Sequence, residues 1–92
     1  MITAAQAKQI TLDKLLQTAR EFIINHVDRA IDESARAGKF VAIVNFEGVP
    51  NPETTGELVV KLLEDKEFEA EHVYYDGPNG HDNYIIVKWG ED

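Results

Sequence analysis

Three histidines, His26, His72 and His81, are the residues of this 92-residue chain best suited to moving protons or holding a metal, because imidazole changes charge near neutral pH and is a common nitrogen ligand. His81 stands beside Asp82 and five residues after Asp76, so imidazole and carboxylate could gather around a divalent cation. The stretch from Asp76 to Asn83 nevertheless lacks the acidic alternation and the distal glutamate of a calcium loop. His26 falls near the apolar stripe of a helical pattern, where a structural imidazole at a helix or subunit interface is expected. Ser34, the only serine, sits in that pattern without a nucleophile elbow. Glu47, Glu53 and Glu57 could supply paired carboxylates for acid-base work, but their surroundings read as solvated loop and helix start. Gly77 and Gly80 flank a proline with no helix after them, which excludes a phosphate cradle of the helix-terminus kind. The absence of cysteine removes disulfides, thiolate metal sites and cysteine nucleophiles together. The expectation is a protein that is not an enzyme and holds no cofactor or metal.

The most distinctive local feature is instead the acidic run Glu64, Asp65, Glu67, Glu69 and Glu71. On a helix end that leads into a strand, Glu69 and Glu71 would project from one face, with the others near its edge. Such a run discourages edge-to-edge aggregation of a sheet. It could also imitate phosphates and occupy the nucleic-acid groove of a basic partner.

The elements that position these residues begin with a long helix. Leu12, Leu16, Ala19, Ile23, Val27, Ala30 and Ser34 follow steps of three and four, and Leu15, Phe22 and Ile31 widen the stripe. Charged residues fill the opposite arc, and Arg29 with Glu33 and Asp32 with Arg36 stand four apart. Gly38 suits a left-handed position just past the helix end, so the helix closes at Ala37. Upstream, Thr3 and Gln6 have capping-box spacing, while Thr11 with Asp13 could cap a fresh helix, so the rod is either continuous from Ala4 or broken near residues 10–11. A continuous rod would run about 50 Å at 1.5 Å per residue, against a radius of gyration of about 12–13 Å for a compact domain of this size. It would overhang the domain and seek a partner.

Lys39 to Phe46 reads as a strand apolar on both faces, with Phe40, Ala42, Val44 and Phe46 on one and Val41 and Ile43 on the other. Glu47 to Glu53 is a proline-bearing loop. Thr54 to Lys66 reads as a second helix with Thr54 and Glu57 as a capping box. Phe68 to Tyr75 and Asn83 to Trp89 are strands joined across the turn formers of residues 76–82 as a hairpin with a loop longer than two residues. The fold class is α+β: a long N-terminal helix (residues 1–37) and a β-α-β-β unit (residues 38–92) in a single domain. The sheet has three strands, mainly antiparallel, with the C-terminal strand in the middle. The long helix could cover either face, and whichever face stays open carries apolar side chains from at least two strands.

The net charge of -8 lies entirely in the second part of the chain, where residues 37–92 carry twelve acids and four lysines while residues 1–36 balance five against five. That argues against direct binding to nucleic acid or to an anionic membrane. No window approaches a membrane span, and Met1 to Lys8 lacks a signal-peptide core.

The helix ending Ala35-Arg36-Ala37-Gly38-Lys39-Phe40, the strand beginning Glu67-Phe68-Glu69-Ala70 and the final Tyr84-Ile85-Ile86-Val87-Lys88-Trp89 resemble small proteins of tailed bacteriophages, over residues 20–89. The resemblance implies a phage origin, a non-catalytic role, and a place in the virion or the host cytoplasm. It carries over no functional residue. Together these readings lead to the expectation of a protein-binding homo-oligomer, with Glu64, Glu67, Glu69, Glu71, Phe22, Ile23 and Val27 as candidate partner contacts. An acidic inhibitor of a host defence or nucleic-acid-binding protein is the alternative, and a small metal-dependent enzyme the remote one.

Overall fold

The computed structural model describes residues 1–90 and contains a helical rod followed by β-α-β-β. The rod consists of α1 (Ala4–Phe22), a π-helical turn (Ile23–Val27) and α2 (Asp28–Arg36), without a break at residues 10–11. Thr3 and Gln6 form the expected capping box, with Thr3 Oγ1 accepting from the Gln6 N–H at 3.2 Å and Gln6 Oε1 accepting from the Thr3 N–H at 2.9 Å. Thr11 caps nothing: its hydroxyl donates back to the Ala7 carbonyl at 3.0 Å within the continuing helix.

The π turn has a cause in the side-chain pattern. Leu15, Ala19 and Phe22 are buried at steps of four and three, and a regular helix would next aim Asn25 or His26 inward. One extra residue in the turn, closed by the Asp28 N–H on the Ile23 carbonyl, brings Val27 into the core and leaves His26 exposed. At the far end, Gly38 takes φ +78°, the Lys39 N–H reaches the Ser34 carbonyl at 2.9 Å and the Gly38 N–H reaches Ala35 at 3.0 Å. This is a Schellman closure at the glycine the sequence marks for it.

Beyond the turn follow β1 (Val41–Asn45), α3 (Pro52–Glu64), β2 (Glu69–Gly77) and β3 (Gly80–Lys88). The strand order is β1-β3-β2 with β3 antiparallel to both neighbours, so the C-terminal strand is central. α1 packs on α3, α2 on β1, and α3 on β2. Val44, Phe46, Ile85 and Val87 share one core with Ala19, Phe22, Val27, Val59 and Leu63. Since those strand residues all belong to one face, both helical layers lie on that face.

Element ends shift by one to three residues from the sequence expectation, most consequentially at the start of α3 and in the hairpin. α3 starts at Pro52 rather than Thr54, and no Thr54–Glu57 capping box forms. Asn51 precedes it in the left-handed conformation, Pro52 occupies the first helical position where its missing N–H needs no partner, and buried Thr55 donates its hydroxyl to the Pro50 carbonyl at 2.9 Å. The hairpin loop is the two residues Pro78 and Asn79, not 76–82: Gly77 pairs with Gly80, and Asp76 with His81. Neither loop residue has a positive φ, so the turn is not of the primed types that two-residue hairpins favour, and Pro78 could not adopt one.

α3 also ends as a Schellman motif, with the Phe68 N–H on the Leu63 carbonyl at 3.1 Å and the Glu67 N–H on Glu64 at 3.0 Å. Here the left-handed residue is Glu67, at φ +69°, where glycine is preferred.

Candidate protein interface

With every helix on one side, the opposite face of the sheet is open. Val41, Ile43 and Asn45 of β1 stand there beside Tyr84, Ile86 and Lys88 of β3, and Glu69, Glu71, Val73 and Tyr75 of β2 complete the face, as strand register and alternation require. Ile43, paired directly with Ile86, is 65% exposed, and Tyr75 is 50% exposed. The apolar part is therefore concentrated on β1 and β3. The β2 side carries the two glutamates, with Glu69 opposite Lys88.

Glu69 and Glu71 thus project from one face, as their spacing predicts, on an edge strand. Glu64 and Glu67 are exposed where α3 turns into β2. The four acids border the apolar face, and Glu69 and Glu71 line a hollow of about 270 Å³ with Ile86 and Lys88. Of the apolar candidates on the rod, Phe22 and Val27 lie in the core and are not available to a partner. The reason is that the rod presents its stripe to the chain's own sheet and to α3. Ile23 is half-buried and, with exposed Ile24, lines an apolar groove of about 470 Å³ that Leu62 and Phe68 close from α3 and its exit. The first eleven residues are exposed throughout, Ile2 and Ile10 included. The longest dimension is 54 Å and the radius of gyration 14.8 Å, so the rod overhangs the sheet.

The histidines have structural surroundings. The side-chain amide of Asn83 donates from Nδ2 to the Phe46 carbonyl at 3.1 Å, which turns its Oδ1 to His72 Nε2 at 2.7 Å. The proton therefore sits on His72 Nε2. The His72 ring stands edge-on to Phe46 at 5.0 Å and stacks on Tyr74 at 5.7 Å. Sequence periodicity missed this network. The signal was present in Asn83, a polar residue in phase with Ile85, Val87 and Trp89 on the covered face. Half-buried His72 also borders a larger groove of about 760 Å³ between Leu12 of the rod and Glu53, Glu57 and Lys61 of α3.

His81 lies with Nδ1 3.8 Å from Asp76 Oδ1 and Nε2 3.5 Å from Glu47 Oε1, so the hairpin tip and the loop after β1 meet there. Asp82 does not join them, because it falls on the other side of β3. Among the described residues no three His, Cys, Asp or Glu side chains gather as metal ligands. No described helix is long and apolar enough to cross a membrane. No family model matches the chain, and neither a curated protein nor a solved structure matches it.

Proposed function

We propose that this chain is a non-catalytic protein-binding module that works as a homo-oligomer, with a tailed-phage particle or its accessory machinery as its setting. The observation that supports it is the open sheet face, where Ile43 on the edge strand and Ile86 on the central strand stand side by side while both helical layers lie on the opposite side. An uncovered apolar face on a small domain is a site for another protein. The overhanging rod adds exposed Ile2 and Ile10 to the same tendency. The setting rests on the sequence resemblance of residues 20–89 and places the protein in the virion or the host cytoplasm. Light scattering of the purified protein tests the reading: the expected mass is a defined multiple of 10.4 kDa, and a monomer at high concentration contradicts it.

A second reading, an acidic inhibitor of a host defence or nucleic-acid-binding protein, draws on Glu69 and Glu71 sharing that open face. It predicts salt-sensitive binding to a basic protein that weakens when Glu64, Glu67, Glu69 and Glu71 are changed to glutamine. Unchanged affinity in that variant removes it.

A further inference from the structure

The two edges of the sheet are unlike. β2 carries Glu69, Glu71 and Asp76, whereas the chain from Phe40 to Phe46 holds no charged residue. Charges guard an edge strand against pairing, and an uncharged apolar edge invites it.

Two hydrogen bonds fix where the peptide groups of β1 point. The Trp89 N–H donates to the Phe40 carbonyl at 3.1 Å, and the Phe46 N–H donates to the Asn83 carbonyl at 3.0 Å. In an antiparallel ladder alternate residues face the same neighbour. Phe40, Ala42, Val44 and Phe46 therefore spend their peptide groups on β3, and those of Val41, Ile43 and Asn45 point outward. No other described strand lies on that side.

We propose that this edge pairs with the same edge of a second copy of the chain, antiparallel about Ile43, making one six-stranded sheet across a two-fold axis. This rests on the self-association reading above and adds the interface and its register. Ile43 faces the partner's Ile43, so each isoleucine's N–H and C=O are satisfied by the other copy. Val41 faces the partner's Asn45, again with outward groups on both. The same register, continued past the strand ends, brings Lys39, two residues before β1, toward the partner's Glu47, two residues after it, twice over by symmetry. It also brings Phe40, 49% exposed, opposite the partner's Phe46.

Charge selects this edge over the alternatives. Pairing through β2, or stacking the open faces over one another, would bring the acidic halves of two chains together, and like charges opposed across strands destabilise a sheet. Pairing through β1 leaves the two β2 strands at opposite ends of the sheet. They are then five strand spacings, about 24 Å, apart, which exceeds the screening length of about 8 Å in physiological salt.

Proline at an outward-facing position removes only an outward donor and leaves the β1–β3 ladder intact. Sedimentation of Val41→Pro and Ile43→Pro is expected to give 10.4 kDa with unchanged far-ultraviolet circular dichroism, where the parent chain gives twice that mass. Ile86→Ser, on the open face of the central strand, is expected to remain a dimer. Lys39→Glu is expected to weaken the dimer at least tenfold, and Glu47→Lys in the same chain to restore it. A dimer that survives both prolines and the charge reversal but is lost in Ile86→Ser overturns the edge and leaves self-association standing through the open face. A monomeric parent chain overturns both.

Discussion

The ring of His72 on β2 lies directly against the α-carbon of Gly56 on α3. A methyl group at Gly56 would collide with Nδ1 and stand 2.6 Å from Cε1 and 2.7 Å from Cγ. Swinging the ring away would break its hydrogen bond from Nε2 to Asn83 and its edge-on contact with Phe46. This close approach sets how near α3 comes to the sheet. Gly56→Ala is therefore expected to destabilise the fold by about 1–3 kcal/mol, the usual cost of overpacking, although alanine is the better helix former. Urea unfolding measures it.

Asn83 serves two partners at once. Asn83→Ala leaves the Phe46 carbonyl and the His72 Nε2 proton without their side-chain partner, and the expected loss is about 1–3 kcal/mol. The double variant Asn83→Ala with His72→Phe is expected to lose less than the two single changes together, since His72 then has no proton to place. A thermodynamic cycle on the three variants checks the coupling.

Glu67 occupies a left-handed position at the end of α3. Glu67→Gly is expected to raise stability by about 1 kcal/mol, the order of the steric penalty a side chain pays in that region. The same substitution removes one acid of the run, so the gain is to be read in high salt, where the charge contribution is screened.

The π turn makes a deletion tolerable. Removing His26 shortens the step from Phe22 to Val27 to four residues and returns the rod to regular helical period with both side chains still inward. The shortened chain is expected to fold with stability within about 1 kcal/mol of the parent, the scale of a single exposed-helix change. Removing Arg20 instead rotates the stripe beyond it out of the core, and that chain is expected to unfold. Circular dichroism melts distinguish the two.

What the sequence made legible follows from which forces are local. The rod, its Thr3 cap and its Gly38 closure were readable because each depends on residues a few positions apart. The central place of β3 followed from short connections. The hairpin loop is shorter than its composition suggests because Asp76, Gly77 and Gly80 are turn formers that here sit in strands, while Pro78 and Asn79 suffice for the turn. Phe22 and Val27 read as partner contacts in the sequence because periodicity identifies an apolar stripe but not what covers it. Their cover turned out to be Phe46 and the chain's own sheet. The His72–Asn83–Phe46 network joins residues brought together only by the register of β2 on β3 and of β3 on β1.

The unguarded β1 edge is what this fold offers to another copy of the chain. The amide of Ile43 reports on it most directly, since its N–H points away from β3, toward the side where no other described strand lies. Hydrogen exchange followed by nuclear magnetic resonance over a dilution series is expected to show Ile43 strongly protected at high concentration and increasingly open on dilution. Rapid exchange of the Ile43 amide at every concentration would contradict the account.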